Sequence, residues 1–341
     1  MTVSQPMTPR TPYRSLIIMA LIAFITVIFG YNILVTERSV MTILNIFTTR
    51  FLGIFIEAVP FLLLGTLTSG LIEAFIRPQD IVRWLPKNRL LGVVGGAFLG
   101  IIFPVCECGV VPVVRRLFRK GLPMSVGVTF LLAAPFMNPI VFASTYIAFG
   151  FGTIFITRFA LTAIVAISVG LIFAVNSKAS DVLLPVSLLD DSVVDSITPS
   201  RPTMRQGVSQ SLTIATSEFF EMGRFLVMGC VLAAAMQTLI NQSDLQVIGQ
   251  GPVLSVLVMQ AFAFVLSVCS TVDSFLALAF INTFSLGSII AFLSFGPMVD
   301  IKSTMMFMGV FKKRAVVYLI VLPFLMNLLA GVLINLQLGV F

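Results

Sequence analysis

The sequence contains nine apolar segments that are each long enough to cross a lipid bilayer, and this feature restricts the fold more than any other. A transmembrane helix needs about 20 consecutive, mostly apolar residues. The segments fall near residues 15–36, 51–76, 90–114, 122–149, 152–175, 215–240, 252–280, 286–310 and 315–338. Only 10% of the residues are charged, against about a quarter in a soluble domain. We therefore expect an all-α polytopic membrane protein surrounded by the lipid bilayer.

Composition and motifs exclude several classes of function. The net charge is +7, but the basic residues lie in short loops between apolar segments, which is typical of topology signals and not of a nucleic-acid interface. The sequence has no histidine, the commonest metal ligand, and no Walker motif for ATP hydrolysis. We expect no nucleic-acid partner, no enzymatic activity and no cofactor.

Two membrane halves joined by a polar linker make up most of the chain. Arg10 and Arg14 precede the first apolar segment, which is too long for a signal-peptide core and has no small-x-small cleavage site after it. We interpret it as an uncleaved span with the N-terminus in the cytoplasm. The expected divisions are a cytoplasmic N-terminus (1–14), an N-terminal span and loop (15–50), a first membrane repeat (51–175), a cytoplasmic linker rich in Ser and Asp (176–214) and a second membrane repeat (215–341).

The two halves align with each other at four landmarks. "FIEAVPFLLLG" matches "FFEMGRFLVMG" at an offset of 164, Asp80 matches Asp244 at the same offset, "FPVCECGVV" matches "LSVCSTVDS" at 163, and "AAPFMNP" matches "SFGPMVD" at 162. The slow drift of this offset predicts two homologous halves. The paired positions are Glu57 with Glu221, Cys106 with Cys269, Pro135 with Pro297, and Asn138 with Asp300.

Basic residues on both sides of the segment 90–114 predict that it does not cross the membrane. Four precede it and four follow it: Arg77, Arg83, Lys87 and Arg89, then Arg115, Arg116, Arg119 and Lys120. The positive-inside rule keeps both groups in the cytoplasm if the segment enters and returns as two half-helices, broken near Pro104, Gly109 and Pro112. The same reasoning applies to 252–280. Each half then has three crossings and one re-entrant hairpin, so the repeats are inverted. The alternative is nine simple crossings with one loop that violates the rule.

Thiols and a carboxylate in the middle of that segment form the first candidate site. Thiolates are soft ligands, so Cys106 and Cys108 would hold a soft ion or a metalloid, with Glu107 as proton acceptor. Cys269 would approach from the paired hairpin as a third thiol. The alternative is that these cysteines are merely small buried apolar residues, and this is our interpretation of Cys230. A second CxxC pair is missing, so a structural zinc site has no support.

Other polar residues inside apolar segments complete the candidate site, because ionisable groups there are costly and indicate function. Such ionisable groups are Glu57, Glu107, Glu218, Glu221, Arg224, Asp273 and Asp300. Three of them are candidates for proton coupling: Glu57, Glu107 and Glu221. In the alternative interpretation, Glu57 and Glu218 lie near span ends and reach the interface. Candidate substrate contacts besides the thiols and Glu107 are Gly109, Pro135, Asn138, Asp273, Pro297 and Asp300. The two prolines would bend their helices, and packing kinks without a pore are the alternative.

The sequence resembles the ArsP-type predicted permeases over roughly residues 45–338. The resemblance is carried by "PVCECGVVPVVRRLFRKGLP", "LLAAPFMNP", "VCSTVDSFLALAF" and "GPMVDIKSTMMFMGVFKKR". It implies a multi-pass permease of the inner membrane. Some family members export trivalent organoarsenicals, and others work with a small membrane-protein partner as a two-component permease.

These observations favour a secondary transporter that exports a small, thiophilic solute, such as a trivalent organoarsenical or a metal. Glu107, Asp273 or Asp300 would exchange protons as access alternates. The alternative is the membrane subunit of a two-component permease that requires a small partner protein and carries a non-metalloid solute. Intramembrane proteolysis by Asp273 and Asp300 has little support, because the sequence lacks GxGD and HExxH motifs and a Ser–His pair.

Overall fold

The computed structural model describes residues 40–75, 88–102, 106–176, 182–184, 204–239, 251–281 and 283–338. The expected cytoplasmic N-terminus (1–14), the first span (15–36), Pro104 and most of the linker 176–214 lie outside the described residues.

The described residues form twelve α-helices and no β-strand, which confirms the all-α class. The first half contains α1 (Val40–Phe75), α2 (Arg89–Ile102), α3 (Glu107–Arg119), α4 (Met124–Ala133), α5 (Pro139–Phe149) and α6 (Thr153–Asn176). The second half contains α7 (Met204–Leu239), α8 (Leu254–Leu266), α9 (Asp273–Leu278), α10 (Leu286–Phe295), α11 (Ile301–Val310) and α12 (Lys313–Leu338). In both halves, a long helix is followed by four short helices and a second long helix.

Four described helices are long and apolar enough to cross a membrane: α1, α6, α7 and α12. Two of them begin earlier than the sequence predicts. α1 begins at Val40 and not near residue 51, and α7 begins at Met204 and not near residue 215. Both therefore include residues that we expected in loops.

The other four apolar segments of the described chain are each interrupted and form two short helices. Breaks in 90–114 and 252–280 were predicted, but at Pro135 and Pro297 the sequence predicts only a bend. The structure has complete interruptions at residues 134–138 and 296–300. A new helix can start after each turn because its first turn is capped, by Asn138 before α5 and by Asp300 before α11. A ten-residue helix is about 15 Å long, roughly half the hydrocarbon core.

Within the first half, α2 lies alongside α4, and α3 runs back so that it ends near the start of α4. The backbone of α2 approaches α4 at Gly96, beside Val126, and at Gly100, beside Ala134. Phe118, near the end of α3, packs against Gly127, near the beginning of α4. The start of α2 and the end of α3 therefore lie at the same end of α4.

In the second half, α8, α9 and α10 pack on one another. The hydroxyl of Ser288 in α10 donates a hydrogen bond of 2.7 Å to that of Ser255 in α8. Ala263, near the end of α8, lies against Gly296 at the end of α10. Phe280 and Phe284, which follow α9, pack in one cluster with Phe262 of α8. The start of α8 and the end of α9 therefore lie at the start of α10.

Long helices enclose the short ones. α1 and α7 pack extensively on each other, and they cover α3 and α11, respectively. α6 crosses α4 at Gly170, which lies against Thr129, and α12 crosses α10 at Gly331, which lies against Ala291. A short described piece of the linker, residues 182–184, pairs with the end of α11, where the Lys312 amide donates to the Val182 carbonyl at 2.8 Å.

Candidate substrate site

A fully buried ammonium group lies where half-helices from the two halves meet. Lys302, in the first turn of α11, is 1% exposed. Its Nζ lies 3.4 Å from Oε1 of Glu107, the first residue of α3, and 3.5 Å from Oδ2 of Asp300. Both carboxylates are also buried. Burying three ionisable groups is expensive, so this cluster indicates a function.

Four cysteines lie near this cluster. Cys106, the N-cap residue of α3, lies within hydrogen-bonding reach of Cys108. Cys108 and Cys269 are within electrostatic range of Lys302. Cys230 of α7, which we interpreted as a plain buried residue, also lies within electrostatic range of Cys108 and Lys302. The structure thus gathers the three predicted thiols and adds a fourth. All four are free, and within the described ranges no three Cys, Asp or Glu side chains form a group that could hold a metal ion.

The charged groups at Lys302 are incompletely satisfied. Glu107 Oε2 and Asp300 Oδ2 have no hydrogen-bond partner among the described residues. Charge-assisted N–H···O hydrogen bonds usually measure about 2.7–2.9 Å, so the 3.4 and 3.5 Å separations from Lys302 are long. The ammonium and both carboxylates therefore keep capacity for a further polar partner.

Asp273 has a very different environment, dominated by Arg158 of α6. The Arg158 Nη2 atom donates to both Asp273 oxygens, at 3.0 and 2.7 Å. Arg158 Nη1 donates to the hydroxyls of Ser274 and Thr145, and the guanidinium lies 5.6 Å from the ring centroid of Phe136. Since the Asp273 carboxylate is already paired, this predicted substrate contact joins the two halves through an ion pair.

The matched residues Asn138 and Asp300 both cap a half-helix. The Asn138 side chain accepts a hydrogen bond from the Ile140 amide at 3.0 Å. Asp300 accepts one from the Ser303 amide at 2.6 Å, and the Ser303 hydroxyl accepts one from the Asp300 amide. Asp300 alone also faces Lys302. The prolines before these caps lie in buried turns, and the Pro135 carbonyl accepts a hydrogen bond from Ser270.

The matched residues Glu57 and Glu221 lie in dissimilar places. Glu57 of α1 is half-buried, within hydrogen-bonding reach of the Cys269 thiol and within electrostatic range of Lys302. Glu221 of α7 instead accepts a 2.7 Å hydrogen bond from Arg115 of α3. It belongs to a network of ion pairs in which Arg116 and Lys120 contact Glu73 and Arg116 also contacts Glu218. The structure therefore brings Glu57, but not Glu221, near the thiols.

Known proteins resemble this sequence along most of its length. A family described as predicted permease, of the ArsP type, matches residues 42–336. The chain belongs to this family. The permease is 46% identical to UPF0718 protein YcgR of Bacillus subtilis over 83% of its own length and 95% of the relative. It is 38% identical to a Streptococcus mutans protein named as a two-component membrane permease complex subunit, over 77% of its own length and 86% of that relative. No solved structure matches the permease significantly. The resemblance inferred from the sequence is thereby confirmed.

Our sequence reasoning missed two basic residues of this permease, Arg158 and Lys302. Each is an isolated cation inside an apolar segment, 152–175 and 286–310 respectively. The criterion that singled out the acidic residues, an ionisable group at membrane depth, applies equally to both. Their partners could not have been found in this way, because Glu107 lies 195 residues before Lys302 in the chain.

Proposed function

We propose that this permease is a secondary transporter of the cell membrane whose solute binds between α3 and α11. One observation carries the proposal: a buried ammonium and two buried carboxylates meet at the junction of the halves with unused hydrogen-bonding capacity. A purely structural ion pair is expected to look like Arg158 and Asp273, with short bonds and several polar neighbours. The looser arrangement at Lys302 suits a group that exchanges partners during transport.

We infer that the two halves are duplicated, and their internal contacts support this. The contact of Gly100 with Ala134 corresponds to that of Ala263 with Gly296, at offsets of 163 and 162. The contact of Gly170 with Thr129 corresponds to that of Gly331 with Ala291, at 161 and 162. These offsets continue the drift from 164 to 162 found between the sequence landmarks.

The two hairpins, α2 with α3 and α8 with α9, open toward opposite ends of the molecule in this proposal. Phe118, near the open end of the first hairpin, packs edge-to-face on Phe311 at the end of α11. Phe149, at the end of α5, packs instead against the apolar cluster that contains Phe280 and Phe284, at the open end of the second hairpin. Since α11 leads directly into Lys312, Lys313 and Arg314, the positive-inside rule assigns the first end to the cytoplasm. The repeats are then inverted, each hairpin is re-entrant, and the N-terminus is cytoplasmic.

Access would alternate around a fixed central site. α3 and α11 both begin there, and helix N-termini carry partial positive charge that favours electron-rich solute groups. Cys106, Cys108 and Cys269 would contact a soft solute, for which a trivalent organoarsenical is our candidate. Each As–S bond would form as an As–OH bond breaks, and Glu107, with Glu57 beside Cys269, would relay the thiol proton to the departing hydroxide, which leaves as water.

Transport of a trivalent organoarsenical into everted membrane vesicles tests this proposal. We expect the wild type to accumulate the arsenical, and the variant C106S/C108S to lose accumulation. K302M should lose it as well, because the carboxylates are left without their cation. The matched control is R314M, which removes one cation at an exposed position of α12. Unchanged accumulation by both site variants, at equal protein amounts, would refute the proposed site.

A second candidate function follows from the Streptococcus mutans relative, whose name describes a subunit of a two-component permease complex. In this alternative the chain needs a small membrane-protein partner to transport a non-metalloid solute. Reconstitution distinguishes the two functions. Purified chain in liposomes should transport without help if it is a complete transporter, and it should require the co-purified partner if it is a subunit.

A further inference from the structure

A polar cluster between α8, α10 and α12 lies outside the site at Lys302. Gln260 of α8 and Asn327 of α12 are both fully buried. The Gln260 amide nitrogen donates to the Phe324 carbonyl at 3.3 Å, and the Asn327 amide nitrogen donates to the Pro323 carbonyl at 2.8 Å. Because these two carbonyls are consecutive in α12, both amide groups lie at the same turn of that helix.

Oxygen atoms in this cluster are left without partners. Since each amide points its nitrogen at a carbonyl, Gln260 Oε1 and Asn327 Oδ1 point away from it, and neither has a hydrogen-bond partner within the described ranges. The hydroxyl of Ser294 is likewise buried and unpartnered there. Ser294 lies on the face of α10 that also carries Ala291, which packs against α12. An unpartnered buried polar atom costs about 1–3 kcal/mol, so several in one place require an explanation.

Pro323 leaves a further oxygen of α12 without its usual partner, one turn before these two carbonyls. Proline has no N–H, so the carbonyl of Leu319, four residues earlier, loses its usual helical partner. Leu319 is fully buried. α10 also ends nearby, where the ring of Phe295 packs edge-to-face on that of Phe324. The carbonyl end of a helix carries partial negative charge, which favours a cation.

The first half shows that the fold does not need these polar groups. At the offsets of 163, 162 and 161 that relate the contacts of the two halves, Gln260, Ser294 and Asn327 correspond to Ala97, Leu132 and Ala166. All three are apolar and fully buried. Pro323 corresponds to Thr162, so α6 has no proline at this turn. The first half thus fills the positions of Gln260, Ser294 and Asn327 with apolar residues, and its polar residue at this turn is the buried Thr162, so the two buried amides are particular to the second half.

We propose that Gln260 and Asn327, with the carbonyl freed by Pro323, bind an alkali-metal cation between α8 and α12. Oxygen ligands suit hard cations, and these donors are neutral, which favours a monovalent ion at membrane depth. If the proposed transport function is correct, this cation is the ion whose movement drives transport. Binding of the cation does not depend on that function. Discontinuous and kinked helices of secondary transporters provide ion sites of this kind.

Thermal unfolding of the purified full chain tests the site. We expect NaCl, KCl or LiCl to raise Tm by about 2–4 °C over choline chloride at equal ionic strength, with a saturable concentration dependence. The variant Q260A/N327A introduces the residues that the first half uses at these positions, so it should fold and lose the shift. N327L alone removes one oxygen at similar volume and should weaken the shift.

N335A is the matched control. Asn335 is a buried amide of the same helix, but its oxygen accepts from the Gly287 amide and its nitrogen donates to the Pro252 carbonyl. N335A should lower the baseline Tm and keep the cation-dependent shift. The site is refuted if no alkali cation shifts the wild type, or if Q260A/N327A shifts as the wild type does. A cation-dependent shift in the wild type, together with no arsenical accumulation by wild-type vesicles, would reject the proposed function and leave the cation site standing.

Discussion

The backbones of Gly65 and Gly109 are in direct contact, so that a Cβ atom on Gly65 would overlap the Cα atom of Gly109. α1 approaches α3 this closely only because both residues lack a side chain. Gly109 was a predicted substrate contact, and the structure gives it this packing role one turn into α3. The contact fixes the position of Glu107 and Cys108, which immediately precede it.

Substitution G65A is therefore expected to destabilise the protein. The added methyl group meets backbone atoms that cannot rotate away, and overpacking of this kind costs about 1–3 kcal/mol. Thermal unfolding in detergent measures the loss. The control is G53A in the same helix, where a Cβ atom meets nothing within 4 Å and alanine favours the helix. Equal Tm values for G65A and G53A would contradict the contact.

Removing only one partner of the ion pair between Arg158 and Asp273 should destabilise the protein more than removing both. D273L leaves a guanidinium uncompensated in the interior, which costs about 3–5 kcal/mol. The double variant R158L/D273L removes both charges, and we expect it to recover most of the lost stability. The measurement is Tm together with the fraction of monodisperse protein after extraction. A double variant no more stable than D273L would show that the hydrogen bonds to Ser274 and Thr145 dominate instead.

The ion pair of Arg115 and Glu221 should respond to exchange of its charges. R115E places like charges side by side between α3 and α7 and should lower Tm, whereas R115E/E221R restores opposite signs and should recover part of it. We expect a modest effect, about 1 kcal/mol, because the Glu221 side chain is 22% exposed. High salt should reduce the difference between the variants. Identical Tm values at low salt would argue against a contribution from this pair.

Accessibility of single cysteines checks the proposed topology. In a variant without the four native cysteines, N88C precedes α2 and T283C precedes α10, and both positions are exposed. We expect a membrane-impermeant maleimide to label T283C in intact cells and N88C only in everted vesicles. A reporter fused after Lys120 should read cytoplasmic. An external reading there would eliminate the re-entrant hairpin and the inverted repeat together.

The sequence was sufficient for the helical class and for two of the four interruptions, but not for the starts of α1 and α7. The basic residues on both sides of 90–114 predicted the break before α3 because they act on the topology, but Gly109 and Pro112, where we also expected the break, lie inside α3. The completeness of the breaks at Pro135 and Pro297 was not predictable in the same way. A proline within an apolar run is compatible with either a kink or a new helix, and the caps at Asn138 and Asp300 decide between them.

Pairing across the two halves could not be predicted from the sequence. The match between Glu57 and Glu221 suggested a shared role. However, their helices pack on elements that do not match each other, because α1 packs on α3 whereas α7 packs on α11. The two glutamates therefore meet Cys269 and Arg115, respectively. Likewise, Lys302 can be found in the sequence as a cation inside an apolar segment, but its partner Glu107 is evident only when α11 meets α3.

α4 and α10 are synthesised before the long helices that pack against them. Each has ten residues, about half of what a bilayer-spanning helix requires, so neither is a stable membrane segment alone. Their partners, α6 at Gly170 and α12 at Gly331, follow them in the chain. Membrane integration of each half must therefore stay incomplete until its last helix leaves the ribosome. A chain that stops at Arg314 would leave α10 without its partner, which makes the final 27 residues a condition for assembling the second half.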